Sequence, residues 1–219
     1  MRASGIGELS GLIVSHDDND HSGGLQSVLR DIPTGWLLHG LPDVSPLLQA
    51  APVPRHCQRG QQWRWDGVRF EILNPPPVAY AESNRRDNDY RCVLKVSQGA
   101  QSLLIMGDAE RRGELEVLES GADVSATVLV AGHHGSRTSS MAEFVERVHP
   151  RYGVFTCGYR NRFGHPHPQV VERFRAMDSN VLRSDTGGLI RLTFGEAGLV
   201  ASEYRPSHRR YWHADLRNE

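Results

Sequence analysis

No apolar run in this chain approaches the ~20 residues that a membrane-spanning helix needs, so no transmembrane segment is expected within it. The opening residues Met1-Arg2-Ala3-Ser4-Gly5 have none of the apolar core of a secretory signal. Cysteine is scarce. Cys57, Cys92 and Cys157 stand far apart with no CxxC pair, which excludes a thiolate zinc knuckle and a disulfide-stapled miniprotein. They read as small buried residues, of which one pair can be bridged if the domain sits outside the cytoplasm. A charge excess is also missing. The net charge of -1 gives no global basic signature for nucleic acid, so binding a polyanion requires a local patch. The C-terminal stretch offers one, where Arg205, His208, Arg209 and Arg210 interleave with Tyr204, Tyr211 and Trp212. An exposed tail reads the same way.

What is present suits a single layered domain. A chain of 219 residues with 38% hydrophobic and 23% charged content can build one soluble core. Apolar runs alternate with helical patterns. Strands are expected at 12–14, 36–38, 68–73, 92–96, 103–106, 127–130 and 152–156, with closing strands at 181–182, 189–194 and 199–204. Helices are expected at 25–29, 110–119, 141–148 and 168–177, the last with a proline near its start. Residues 42–62 read as a loop with a short helix near 44–49. Alternating strands and helices indicate α/β layers, and the late hairpins argue against an all-parallel sheet. Residues 1–200 read as the domain and 201–219 as a basic, aromatic tail.

The most telling segment is Ser15-His16-Asp17-Asp18-Asn19-Asp20-His21. Five of its seven residues can bind a metal. They follow the strand-like Leu12-Ile13-Val14 and precede Gly23-Gly24. His16, Asp18, Asp20 and His21 cannot all avoid one another on so short a loop, and a cation relieves the crowded negative charge. Three further segments share the pattern of apolar strand, sharp turn and ligand-type residues. They are Leu104-Ile105-Met106 into Gly107-Asp108, Val128-Leu129-Val130 into Gly132-His133-His134-Gly135-Ser136, and 152–156 leading on to His165-Pro166-His167. In layered folds, sites gather beyond the carboxyl ends of strands. A lone Gly-Asp or His-Pro is usually a turn, and a His-His pair between glycines is more specific; together they describe a site.

This set of motifs resembles the metallo-β-lactamase superfamily, and within it the C-terminal domain of ComEC-type competence proteins. The supporting residues are Ser15-His16 through Gly24, Asn88 with Val93-Leu94, Leu104 to Asp108, and His133 to Ser136. They continue with Asn161 to Pro166, Arg183-Ser184-Asp185 and Gly187-Gly188. The resemblance implies an αββα sandwich with a divalent-metal centre. It also implies a chain lacking the family's first hairpin, which carries a buried Asp and an Asp-Val-Gly-Gln-Gly stretch. Two further departures concern ligands. Asp18 stands where the superfamily more usually has a second His, and Asn74 falls where a third His is expected.

The ligand candidates are therefore His16, Asp18, Asp20, His21, Asp108, His133 and His134, with either member of the histidine pair eligible. A carboxylate-rich set without thiolates favours Mn²⁺ or Mg²⁺ over Zn²⁺. Mn²⁺ is expected to activate best, with one strong site and one weak one, while the imidazoles leave Zn²⁺ able to bind. Asp20 and Asp108 are the catalytic carboxylates. His165 is a proton donor to a leaving group, a phosphate contact, or a turn cap. Ser136 and Arg137 are candidates to hold a phosphate oxygen. The resemblance implies a nuclease that degrades the non-transported DNA strand beside a membrane channel, on the extracytoplasmic side of the inner membrane. The same scaffold also hosts hydrolases of lactones, thioesters and nucleotides. A domain that binds DNA or the channel without chemistry is the third reading.

Overall fold

The computed structural model describes residues 5–81 and 91–208. Strands β1 (Leu12–Val14), β2 (Leu37–His39) and β3 (Pro54–His56) form a parallel sheet in the order β1-β2-β3. The next seven are β4 (Gln62–Trp65), β5 (Val68–Asn74), β6 (Val93–Gln98), β7 (Gln101–Ile105), β8 (Val128–Val130), β9 (Tyr152–Phe155) and β10 (Asn180–Arg183). They make a mixed sheet in the order β10-β9-β8-β7-β6-β5-β4. Pairs from β4 to β7 are antiparallel and pairs from β7 to β10 parallel. Strands β11 (Ile190–Gly195) and β12 (Gly198–Glu203) form a separate antiparallel hairpin. The helices are α1 (Asn19–Ser22), α2 (Leu25–Asp31), α3 (Arg111–Glu119), α4 (Ala142–Val148), α5 (Pro168–Arg175), α6 (Ser184–Gly187) and α7 (Tyr204–Ser207).

Four apolar clusters define the layers. Val14, Leu25 and Leu37 bury α2 against the outer face of the parallel sheet. Leu38, Cys57, Ile72 and Cys92 fill the space between that sheet and β5–β6. Val128, Val154 and Leu199 seat the hairpin on β8 and β9. The largest cluster joins the far face of the mixed sheet to α3, α4 and α5 through Leu104, Leu129 and Phe155 against Val117, Phe144, Val145 and Phe174. Each such side chain contributes roughly 1.5–3 kcal/mol by leaving water. The result is helix, sheet, sheet, helix: the expected αββα sandwich. Among the described residues, no ladder links the hairpin to the three-stranded sheet.

The sequence reading of 42–62 needs correction. The segment holds β3 and leads into β4, and its helix is a 3₁₀ turn over Pro46–Leu48. Strand β3 is three residues long, lies at the edge of its sheet and opens on Pro54, a first position and an edge that both tolerate proline. Strand β4 is a largely exposed edge, in which Gln62 and Arg64 alternate with Trp63 and Trp65 over only four residues. A turn signal for it was present. Asp66-Gly67 takes positive φ at both residues (48° and 81°), the demand of a two-residue hairpin turn. At the other end, β12 runs past residue 200 to Glu203 and pairs with Ile190. Asn88 and the basic, aromatic positions 209–212 lie outside the described residues.

Of the three cysteines, Cys57 and Cys92 form a disulfide. The bridge ties the end of β3 to the start of β6 across the sheet interface. Cys157 is a free thiol. Among the described residues, no helix is long and apolar enough to cross a membrane.

Candidate metal centre

The four ligand-bearing segments all leave the carboxyl ends of strands at one edge of the sandwich. After β1 the chain turns through Ser15 to α1, where the His21 and Ser22 amides donate to the Asp18 carbonyl. After β7, Gly107 (φ 53°) reverses the chain so that Asp108 faces inward. A Cβ on Gly107 would lie 3.1 Å from the Ser15 Cβ, so this residue permits both the left-handed turn and the approach of the two loops.

After β8, His133 (φ 46°) and His134 (φ 55°) both take left-handed backbone. Each such residue costs on the order of 1–2 kcal/mol. The surroundings impose it. His133 N donates to Gly107 O (3.1 Å), Ser139 Oγ to Gly132 O (2.6 Å) and His167 N to Gly135 O (2.9 Å). A Cβ on Gly132 would sit 2.3 Å from the Ala109 carbonyl oxygen. The two glycines of Gly-His-His-Gly are therefore a steric requirement of the turn, and the strained histidines between them supply the imidazoles.

Two groups of donors converge. One is His16, His21 and Asp108; the other is Asp20, His21 and His134. His21 Nε2 lies 3.1 Å from Asp108 Oδ1, 3.4 Å from His134 Nε2 and 3.6 Å from Asp20 Oδ2. His134 Nε2 lies 3.0 Å from Asp20 Oδ2 and 3.6 Å from Asp108 Oδ1. Asp108 Oδ1 is buried without a hydrogen-bond partner. An orphaned carboxylate oxygen facing two imidazoles is a costly arrangement for a metal-free core and a suitable one for a cation. The set has nitrogen and oxygen donors and no thiolate, so it fits a divalent ion of intermediate or hard character.

Two residues of the centre were not found in the sequence reading. Arg91 is buried (1% exposed), with Nη1 at 3.0 Å from Asp108 Oδ2 and 3.1 Å from His16 Nε2, and Nη2 at 3.3 Å from Asp18 Oδ2. Glu110 accepts from His133 Nδ1 (2.8 Å) and from Thr138 Oγ1 (2.7 Å). Arg91 carries no motif signal. Glu110 lies two residues after Asp108 and reads as an ordinary helix start. Asn74, in the place of the expected third His, donates from Nδ2 to the Arg91 carbonyl (3.2 Å).

The electrostatics follow from burial. Burial pushes His16 down to about 3, helped by the Arg91 charge. Burial also lowers His21. Both imidazoles are thus neutral at pH 7, the state a metal needs. Burial would raise Asp20, but its own backbone amide, His21 and His134 outweigh this and keep it ionised. Burial lowers Arg91, against the pull of Asp18 and Glu110, yet a guanidinium stays charged.

His133 is set apart from His134. Its Nε2 stands 3.8 Å from Asp108 Oδ2, and its ring lies 5.7 Å from that of His165. His165 lines a cavity of about 480 Å³ together with Asp20, His21, His134 and Phe163. Burial and the neighbouring imidazoles hold it below the usual histidine range. Ser136 is buried, with its hydroxyl engaged by Thr138. Arg137 opens instead into a second cavity of about 740 Å³, on the Glu110 side of the centre, lined also by Arg111, Arg112 and Arg173.

On fold and site together, the chain belongs to the metallo-beta-lactamase superfamily, whose family model matches residues 2–158. It is 38% identical to Competence protein ComA of Neisseria gonorrhoeae over 97% of this chain and 29% of that protein. It is 30% identical to ComE operon protein 3 of Bacillus subtilis over 94% of this chain and 27% of that protein. The chain thus spans under a third of the curated relatives it matches. Among solved structures, the diiron beta-hydroxylase CmlA of Streptomyces venezuelae superposes with a TM-score of 0.57 at 11% identity, over 81% of this chain and 44% of that one. That likeness is one of fold.

Proposed function

We propose that this domain is a metal-dependent phosphodiesterase that degrades DNA, as part of a ComEC-type DNA-uptake protein. The observation that carries the reading is the flanking of the centre by arginine and aromatic side chains. On one side the loop Tyr159-Arg160-Asn161-Arg162-Phe163 presents two exposed rings, each with a guanidinium nearby (5.2 and 4.8 Å) and a further partner, Arg205 at Tyr159 (5.6 Å) and His165 at Phe163 (5.8 Å). On the other side lies the four-arginine cavity. Aromatic platforms beside phosphate-pairing cations suit a single strand. They also supply the local patch that a chain of net charge -1 requires.

In this reading Asp20, His21, Asp108 and His134 hold the ion, with Mn²⁺ favoured by the carboxylates. When bound, a divalent ion supplies Lewis acidity toward water and toward a phosphoryl oxygen. His165, neutral in its cavity, donates a ring N–H to a phosphate oxygen, or takes up a proton and then passes it to the leaving group. Arg137 contacts phosphate in the arginine cavity, whereas Ser136, engaged by Thr138, supports the turn. The Cys57–Cys92 bridge supports an oxidising, extracytoplasmic compartment. The greater length of the relatives supports a channel portion as partner.

A small-molecule hydrolase is the second reading, favoured by the modest 480 Å³ cavity at the centre. Salt separates the two. DNA turnover at subsaturating substrate should fall steeply as salt rises, because phosphate contacts release counterions. Replacing Arg160 and Arg162 by Gln should flatten the log–log slope by roughly 1.4 on single strands. Hydrolysis of lactones or thioesters with no DNA turnover would sink the proposal.

A further inference from the structure

The geometry points to Arg91 as a built-in cation that fills the first of two metal positions, the one bounded by His16, Asp18 and Asp108, so that this chain holds one divalent ion, at the second, formed by Asp20, His21, Asp108 and His134. The inference rests on the reading of the site as a divalent-metal centre.

Three acceptors converge on one guanidinium. Arginine can only donate, so Nη1 at 3.1 Å takes His16 Nε2 as acceptor alongside Asp18 Oδ2 and Asp108 Oδ2. His16 Nε2 also lies 3.1 Å from Asp18 Oδ2, and the one guanidinium holds these two lone-pair atoms together. These are the atoms an ion in the first position would take from the His16-x-Asp18 motif and from the carboxylate between the two positions. Any ion sharing them would lie against the guanidinium nitrogens. The fork itself bridges two carboxylates, Nη1 to Asp108 and Nη2 to Asp18, as a planar guanidinium is built to do.

Arg91 is also fixed from both sides. Asn74 Nδ2 donates to its carbonyl. The next residue, Cys92, is bridged to Cys57 and donates its amide to the Ser15 carbonyl (3.1 Å). Where a third imidazole ligand is expected, an amide holds the backbone of the substituting cation. Charge agrees in direction. Asp18, Asp20, Asp108 and Glu110 carry four negative charges, against three positive from Arg91 and one divalent ion. A second divalent ion would reverse the sign and set a dication against the buried guanidinium.

The test is metal stoichiometry on the full chain, loaded with Mn²⁺, freed of loose ions and assayed by elemental analysis and by electron paramagnetic resonance. One Mn²⁺ per chain with an uncoupled signal is expected for the wild type. Arg91→Ala should take up a second ion and show a spin-coupled pair. Adding Asp18→Ala should return it to one, and Arg91→Lys should stay at one. Two ions in the wild type, or one ion in a folded Arg91→Ala, would overturn the inference and leave the metal centre standing. No bound ion in the wild type would overturn both. If Arg91→Ala fails to fold, the wild-type signal decides, uncoupled in favour and coupled against.

Discussion

His134 donates from Nδ1 to the Thr156 carbonyl at 2.6 Å, and this turns its Nε2 toward Asp20 and His21. A carbonyl oxygen only accepts, so the tautomer is fixed without appeal to a metal. His133 is oriented in the same manner by Glu110, but its Nε2 comes no nearer than 3.8 Å to Asp108 and takes no part in the Asp20 group. The histidine pair, equivalent in sequence, thus divides into an inner and an outer member.

His134→Ala should therefore weaken Mn²⁺ binding beyond the roughly 10–100-fold that loss of a supporting contact costs. His133→Ala should leave affinity within about tenfold and act on turnover instead. Chelator competition on both variants checks this. Equal losses, or the larger loss at His133, would reverse the assignment.

The turn that carries these residues rests on a buried acid. Glu114 in α3 is fully buried and accepts from the Ser140 and Met141 amides at the start of α4. Burial raises it from 4.5 to about 7, against those two amides and Arg173. A carboxyl raised on folding stabilises fully below its unfolded value and loses that contribution as pH climbs through its folded value. Stability should thus fall between about pH 5 and 8, by up to about 3 kcal/mol. Glu114→Gln, whose amide nitrogen cannot accept one of the two backbone N–H groups, should be less stable than the wild type near pH 5 and should lose less of its stability by pH 8 in thermal melts. A pH-independent difference between the two would refute the account of Glu114.

The disulfide closes a sequence separation of 35 residues. Constraint of the unfolded chain over such a loop amounts to about 4 kcal/mol. Paired Cys57→Ser and Cys92→Ser substitutions, or reduction, should lower stability by about that much in urea titrations. Because Cys92 follows Arg91, metal affinity should drop with it. A bridge that is absent from the oxidised protein, seen by mass under non-reducing conditions, would remove this prediction's basis.

Strand ends and ligand types were legible because they are local. Gly107-Asp108 and Gly132-His133-His134-Gly135 declare both turn and chemistry in a few letters. The layered class followed from the alternation of apolar runs. Arg91 was not legible, since its role exists only where the segment before β6 crosses the end of β1, 75 residues away in sequence. Glu110 was hidden for a related reason: its partner His133 arrives 23 residues later. Strand β3 escaped because its three residues, Pro54-Arg55-His56, carry no apolar alternation, and β4 because its Gln-Trp-Arg-Trp alternation is only four residues long, although Asp66-Gly67 announced the hairpin.

The most direct measurement is the fate of labelled single- and double-stranded DNA incubated with the purified chain in EDTA, Mg²⁺, Mn²⁺ or Zn²⁺, beside Asp20→Ala. The account predicts degradation that requires a divalent ion, runs fastest with Mn²⁺ and disappears in Asp20→Ala. Intact DNA with every metal, from a folded and metal-loaded chain, would contradict it.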